Sequence, residues 1–109
     1  MVTFGIDYDG TFSAAPDIFR KIITDLFAAG HRAVLVTGRS DEGIWGEEVR
    51  AAVGDLMPIV FAGMQWKREA AEAAGYPIDI WIDDKPEYIG PQDQEFTQYK
   101  YSAKNSPGV

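Results

Sequence analysis

The stretch VTFGIDYDGTF, residues 2–12, joins an apolar run to a polar turn that contains two aspartates. A short apolar run that stops at a charged residue is typical of a strand buried in a parallel sheet. The sequence therefore predicts a strand at residues 2–6, with Asp7 directly after it and Asp9 two residues later. Gly10 follows and gives the turn the backbone freedom to close around a ligand.

Three more short apolar runs repeat this arrangement, and helical patterns separate them. The predicted strands are residues 2–6, 33–36, 58–62 and 78–82, and the predicted helices begin near Pro16, at residue 41 and at residue 66. Strands that alternate with helices are typical of α/β proteins, in which right-handed crossovers place helices on both faces of a parallel sheet. We therefore expect an α/β fold of three layers with a Rossmann-like parallel sheet.

The three helices differ in how clearly the sequence marks them. The first helix is marked at both ends, with Ser13 as N-cap, Pro16 in the first turn and Gly30 after the last turn. The apolar residues expected to face inward recur at spacings of three and four: Ile18, Phe19, Ile22, Ile23, Leu26 and Phe27. The second helix, residues 41–56, directs Ile44, Val49, Val53 and Leu56 inward and is weakened by Gly46 and Gly54. The third, residues 66–74, is rich in alanine and is closed by Gly75.

The composition narrows the class of protein. The chain has 109 residues, no cysteine, one histidine and a net charge of −7. These counts exclude disulfides, thiolate metal sites, a cysteine nucleophile and zinc sites built from several histidines. The acidic balance opposes extended binding to a nucleic-acid backbone, which positive charge drives. A hydrophobic content of 46% argues against disorder.

The length fits one domain, which we expect to cover residues 1–104. Phe96, Tyr99 and Tyr101 indicate a last packed piece, such as an edge strand, and residues 105–109 are expected to be a frayed tail. No apolar stretch approaches the roughly 20 residues that span a bilayer, and the amino terminus lacks the basic region of a signal peptide. We expect a cytoplasmic protein without membrane contact.

Residues that can carry chemistry follow each predicted strand. Asp7 and Asp9 follow the first strand, Thr37 follows the second, Lys67 opens the helix after the third, and Asp83 and Asp84 end the fourth. Because parallel strands end at one edge of the sheet, where open α/β sheets bind ligands, these side chains are expected to meet. Four carboxylates in one place repel one another unless a cation joins them. Mg²⁺ suits oxygen ligands in an open site beside a phosphate.

Four motifs in this order resemble those of the haloacid dehalogenase-like superfamily. FGIDYDGTF (4–12) resembles the first motif, VLVTGR (34–39) the second, Lys67 the third and IWIDDKP (80–86) the fourth. The resemblance extends over residues 2–90. It implies a Mg²⁺-dependent phosphohydrolase, a phosphomonoesterase that works through an aspartyl-phosphate intermediate.

The resemblance also implies a role for each motif. Asp7 would be the nucleophile, and Asp9 would protonate the leaving oxygen and then take a proton from the attacking water. Thr37 and the amide of Gly38 would hold phosphate oxygens. Lys67 would neutralise the charge on the nucleophile and on the phosphoryl group.

The same resemblance implies how Mg²⁺ is held. Its ligands would be the Asp7 carboxylate, the main-chain carbonyl of Asp9 and one aspartate of the fourth motif. Asp84 is preferred to Asp83, because related sites with an acidic pair often use the second member.

The substrate-binding residues are expected to include Gly10, Thr11 and Arg39 beside the Gly38 amide. Arg39 has a second interpretation, in which it only pairs with Asp41 or Glu42.

Other candidates have plainer interpretations. Trp45 and Trp66 are candidates for the entrance to the site, with core packing the alternative for Trp66. Glu87 is expected to be a solvated surface residue, and His31 to lie just past the first helix, where its charge suits the helix end.

No cap domain is expected over this site. Only one helix and one strand fit between the first and second motifs, and again between the second and third. The partner expected is a phosphorylated small molecule or the terminal phosphate of a larger one, and a second copy of the chain is an alternative source of a lid. The motifs also loosely resemble the 3′-phosphatase half of polynucleotide kinases, although no P-loop is present.

Two other functions compete with the phosphohydrolase. A non-catalytic regulatory domain would keep the fold and bind metal or phosphate, but the intact Asp7 and Asp9 pair opposes this interpretation. A phospho-receiver domain also uses aspartate, threonine and lysine. Its acidic pair follows the first strand, whereas the pair in this chain, residues 83–84, comes last.

Overall fold

The computed structural model describes residues 1–91, and strands alternate with helices throughout this part of the chain. The strands are β1 (Thr3–Ile6), β2 (Arg32–Thr37), β3 (Ile59–Phe61) and β4 (Ile80–Ile82); the helices are α1 (Pro16–Ala28), α2 (Gly43–Val53) and α3 (Lys67–Ala73); short 3₁₀ helices cover Phe12–Ala14 and Pro86–Tyr88. The edge strand predicted around Phe96, Tyr99 and Tyr101 and the tail predicted at residues 105–109 lie outside the described residues.

The four strands form one parallel sheet in the order β3-β2-β1-β4. The chain steps from β1 to β2 to β3 in one direction and then returns to the other side of β1 to form β4. The strand order therefore reverses between β1 and β4, and open α/β sheets bind their ligands at this kind of position. Ile6 pairs with Leu35 on one side and with Ile82 on the other, so these three strands end side by side.

Helices cover both faces of the sheet, as the sequence predicts. Alternate residues of β2 separate the two layers of the core, because side chains in a strand point to opposite faces. Ala33 and Leu35 belong to the cluster that contains residues of α1 and α2, whereas Val34 and Val36 pack with alanines of α3. The α/β class is confirmed, and the topology is compatible with a Rossmann-like fold.

The first helix begins and ends at signals that the sequence carries, with one correction. Pro16 lies in the first turn, and Gly30, with a φ of +86°, follows the helix end. The amides of Gly30 and His31 donate to the carbonyls of Phe27 and Leu26, which is the Schellman arrangement. The N-cap prediction for Ser13 is wrong, because the 3₁₀ helix before α1 takes up this residue and its Oγ accepts from the Gly10 amide at 3.1 Å.

Three residues of the predicted inward stripes are exposed instead. Ile18 is 63% exposed and Ile44 is 73% exposed, whereas Ile23 and Val49 on the same two helices are fully buried. Each exposed isoleucine precedes its buried counterpart by five residues, which at 3.6 residues per turn places it about 140° around the helix. Phe27, in the last turn of α1, is also exposed, at 38%.

The second helix is shorter than predicted, and its glycines explain its limits. Gly54 has a φ of +57° and ends the helix, so Leu56 lies beyond it and is half-buried. Gly46 is buried, and a Cβ there would lie 2.3 Å from the carbonyl oxygen of Asp41. This glycine therefore lets the chain before α2 pack closely against the helix.

Among residues 1–91, no helix combines the length and the apolar character that crossing a membrane requires.

Candidate functional site

A cleft of about 910 Å³ lies at the carboxyl ends of the strands. Eight of the ten predicted site residues line it: Asp7, Asp9, Gly10, Gly38, Arg39, Lys67, Asp83 and Asp84. The other two, Thr11 and Thr37, are buried beneath its surface. The loops after β1, β2 and β4 and the start of α3 therefore meet as the topology predicts.

Lys67 is a buried cation between two aspartates. Its Nζ donates to Asp7 Oδ1 and to Asp83 Oδ2, each at 2.7 Å, and its side chain is only 6% exposed. A buried ammonium group needs such partners, because it has lost its hydration. Lys67 therefore joins the acid that follows β1 to the acid that follows β4.

Thr11 connects the turn after β1, which contains Asp7, to the turn after β4, which contains Asp84. Its Oγ1 donates to Asp7 Oδ2 at 3.1 Å and accepts from the Asp84 amide at 3.3 Å, with Asp84 Oδ1 at 3.4 Å. The residue is 7% exposed. The sequence assigns Thr11 to substrate binding, whereas its contacts in the structure hold the carboxylates in place.

Gly10 brings the two acidic turns close together. Its φ is +78°, and a Cβ on this residue would lie 2.4 Å from Asp84 Oδ2. Any side chain here would be strained in its backbone and would also push Asp84 away. The turn therefore needs glycine for the close approach as well as for its backbone conformation.

Three carboxylates in the cleft can share one cation. Asp7, Asp83 and Asp84 each offer an oxygen, and these oxygens lie within 4.8 Å of one another. The single positive charge of Lys67 set against these three carboxylates leaves a formal charge of 1 − 3 = −2. Hard oxygen donors with this excess of negative charge fit a divalent cation such as Mg²⁺.

Asp9 does not join this acidic group. Arg39 holds its carboxylate in a fork, with Nη2 2.7 Å from Oδ1 and Nε 2.9 Å from Oδ2. The convergence of four carboxylates expected from the sequence is thus a group of three, because the Asp9 side chain turns toward the loop after β2. Its main-chain carbonyl as a metal ligand stays a prediction.

Arg39 makes several further contacts around this fork. Its Nη2 also lies 3.2 Å from Glu48 Oε1, and its guanidinium carbon lies 5.1 Å from the ring centre of Tyr8 and 5.3 Å from that of Trp45. The hydrogen bonds to Asp9 and Glu48 raise the pKa of Arg39, so it stays charged.

The pairing of Arg39 with Asp41 or Glu42 is wrong. The parallel pairing of β1 and β2 brings the loops after them together, so Arg39 reaches Asp9 instead. Glu48 and Tyr8 could not be assigned to this cluster from the sequence, because both depend on how α2 and β1 pack.

Thr37 lies at the end of β2 and is fully buried. Its Oγ1 accepts from the Arg39 amide at 3.2 Å, while Gly38 between them lines the cleft and is exposed. Gly38 is therefore more accessible from the cleft than Thr37, and phosphate binding by Thr37 and by the Gly38 amide stays a prediction.

The remaining candidates divide between the cleft and other places. Trp66 and Glu87 line the cleft, the former 39% exposed and the latter half-buried. Trp45 is 61% exposed and stacks on Arg39 outside the cleft lining. His31 is away from the site, where its Nδ1 accepts from the Val2 amide at 3.0 Å.

Burial and charge set the protonation of the acidic group. Burial raises the pKa of Asp7 to about 6, although its hydrogen bond with Lys67 opposes the rise. Burial lowers the pKa of Lys67, but the hydrogen bonds to Asp7 and Asp83 outweigh it and leave the pKa above its ordinary value. When Asp7 is protonated, its hydrogen bond to the exposed Asp84 lowers the pKa of Asp84. At neutral pH the group is therefore mostly ionised.

Comparisons with protein-family models, with curated proteins and with solved structures find no match to this chain.

Replacement of Asp7 by asparagine should change how stability depends on pH. Because the pKa of Asp7 is raised from 3.8 to about 6, the folded protein holds this proton more tightly than the unfolded chain does. The free energy of unfolding should then fall as the pH rises through this window. In EDTA, we expect the wild type to lose on the order of 2 kcal/mol more than Asp7→Asn between about pH 4.5 and about pH 7.

Urea denaturation at the two pH values measures this difference. Asp17→Asn, which removes an exposed carboxylate in the first turn of α1, is the control and should keep the wild-type pH dependence. Parallel pH profiles for the wild type and Asp7→Asn would show that Asp7 carries no burial penalty.

Proposed function

We propose that the chain is a Mg²⁺-dependent phosphomonoesterase that acts through an aspartyl-phosphate on Asp7. The observation that carries the proposal is the buried contact of Lys67 with Asp7 and Asp83 beside the exposed Asp84. A carboxylate nucleophile, a cation that neutralises charge and a further acid for a metal come from three separate segments of the chain. The resemblance of the four motifs to the haloacid dehalogenase-like superfamily predicts the same combination.

Asp7 has the environment that a carboxylate nucleophile needs. One oxygen faces Lys67 and the other faces Thr11, so the carboxylate is held in a fixed orientation at the cleft. In the first step an Asp7 oxygen bonds to phosphorus, and the bond from phosphorus to the leaving oxygen breaks. Positioning and charge neutralisation supply most of the catalysis in phosphoryl transfer, and Lys67 contributes both.

Asp9 is the proton donor and acceptor of the proposed reaction. It gives a proton to the leaving oxygen in the first step. In the second step it takes a proton from the water that attacks phosphorus, which regenerates Asp7 and releases inorganic phosphate. Asp9 is 56% exposed in its side chain and lines the cleft, so substrate and water can reach it.

The acidic group supplies the ligands for Mg²⁺ in this proposal. When bound, the ion would offset the negative charge of the carboxylates and of the phosphate. Asp83 already accepts from Lys67 and from the Lys85 amide, and its side chain is only 1% exposed. Asp84 is exposed, which supports it as the fourth-motif ligand beside Asp7.

A non-catalytic domain that binds metal or phosphate is the second candidate. The fork between Arg39 and Asp9 favours it, because both oxygens of the Asp9 carboxylate are already bound by the guanidinium group and are not free to contact a leaving group. In a catalytic protein the fork must loosen when a phosphate enters. Activity measurements separate the two candidates.

Hydrolysis of p-nitrophenyl phosphate should require Asp7 and Mg²⁺. We expect activity from the wild type with Mg²⁺, no activity in EDTA, recovery when excess Mg²⁺ is added, and no activity from Asp7→Asn. Asp17→Asn is the matched control and should keep the wild-type rate. Equal rates for the wild type and Asp7→Asn would exclude Asp7 as the nucleophile. A folded wild type that binds Mg²⁺ without turnover would favour the non-catalytic domain.

Asp84→Asn should weaken Mg²⁺ binding more than Asp83→Asn does. Asp84 has an exposed carboxylate for the ion, whereas Asp83 is bound to Lys67. Isothermal titration of each variant with Mg²⁺ measures the two affinities without depending on turnover. A greater loss for Asp83→Asn would exchange the roles of the two residues, and thermal unfolding checks that both variants fold.

Asp9→Asn should slow poor leaving groups more than good ones. An alkoxide needs a proton as it departs, whereas p-nitrophenolate does not, and general acid catalysis contributes about 10²- to 10⁴-fold. We therefore expect the rate constant for forming the intermediate to fall more with glycerol 2-phosphate than with p-nitrophenyl phosphate. Equal losses with the two substrates in single-turnover measurements would exclude Asp9 as the acid.

A further inference from the structure

The cleft has an apolar rim outside its acidic group. Met64, Trp66 and Tyr88 line the cleft and are 104%, 39% and 57% exposed. Single exposed apolar side chains are common on protein surfaces, but several around one charged cleft indicate a contact surface for a ligand. We call these three residues the apolar rim.

The rim is attached directly to the segments that carry the charged residues. Trp66 precedes Lys67 at the start of α3, and Tyr88 ends the 3₁₀ helix that follows Asp84. The amide of Arg68 donates to the carbonyl of Ile89 at 2.9 Å, which joins the start of α3 to the end of this 3₁₀ helix. The two segments that carry the aromatic residues are therefore joined to each other beside the acidic group.

We propose that the apolar rim binds a flat ring in the leaving group of the phosphate ester, an inference that rests on the proposed function of the site. Trp66 and Tyr88 offer aromatic faces, on which flat rings stack, and the thioether of Met64 makes favourable contacts with ring edges. Lys67 and the acidic group take the phosphate end. The substrate class is a monophosphate that carries an aromatic or heteroaromatic ring.

The charges around the cleft favour a single phosphate over a polymer. Asp83, Asp84 and Glu87 line the cleft next to the rim, and the chain carries a net charge of −7. A second and third phosphate along a strand would meet these acids, and Lys85, which also lines the cleft, offsets only part of their charge. One ring and one phosphate are therefore the parts of the substrate that the cleft can hold favourably.

The test compares substrates that differ only in the ring. Adenosine 5′-monophosphate, uridine 5′-monophosphate and ribose 5-phosphate have the same reacting phosphate on the same carbon of ribose, but the last has no base. Stacking of a base on an aromatic residue corresponds to roughly 5- to 150-fold in affinity. We expect the wild type to prefer at least one nucleotide over ribose 5-phosphate in kcat/KM by a factor in this range.

Variants of the rim should remove this preference selectively. Trp66→Ala and Tyr88→Ala should lower kcat/KM for the preferred nucleotide and leave that for ribose 5-phosphate nearly unchanged, while Trp66→Phe should keep most of the preference. Phe27→Ala is the matched control, since Phe27 is 38% exposed and lies on α1 outside the cleft lining. Equal losses for the nucleotide and ribose 5-phosphate, or no preference in the wild type, would overturn the ring-binding rim.

A binding measurement separates this inference from the proposed function. The same three compounds are titrated calorimetrically into Asp7→Asn and into Asp7→Asn with Trp66→Ala. Tighter nucleotide binding that Trp66→Ala removes would support the rim even if the wild type hydrolysed nothing, and only the catalytic proposal would then fail. Equal affinity for nucleotides and ribose 5-phosphate would overturn the rim even if the wild type hydrolysed all three.

Discussion

The site depends on one buried cation, the ammonium group of Lys67. It lies 2.7 Å from both Asp7 and Asp83, and all three side chains are at most 6% exposed. Charges this far from water persist only when they are paired and hydrogen-bonded. Because the two acids follow β1 and β4, the strands between which the sheet order reverses, the lysine fixes the start of α3 above that position. The same contact therefore supports the fold and the cleft.

The buried lysine neutralises only part of the charge gathered around it. Asp84 adds a third carboxylate. This carboxylate lies so close to Gly10 that a Cβ on Gly10 would collide with it. Burial of Asp7 costs free energy, which its raised pKa reflects. A group that is unfavourable for stability and yet closely assembled is typical of a functional site, where stability is given up for binding or chemistry.

Much of this arrangement could be predicted from the sequence, because strand ends are visible in it and parallel topology gathers them at one edge. Side-chain direction could not be predicted in the same way. Asp9 is two residues from Asp7, yet it turns to Arg39, because loop packing and not strand order decides its partner. Ile18 and Ile44 fit apolar spacing but lie too far around their helices to reach the sheet.

Two cations divide the aspartates that the sequence places together. Lys67 holds Asp7 and Asp83 in the buried floor, Arg39 holds Asp9 at the surface, and Asp84 stays exposed between them. A ligand that enters the cleft therefore meets one cation whose two acidic partners are buried and a second cation whose partner Asp9 is exposed to solvent. In the proposed phosphomonoesterase, a substrate phosphate would compete with Asp9 for Arg39, and this exchange would free the Asp9 carboxylate when substrate is bound.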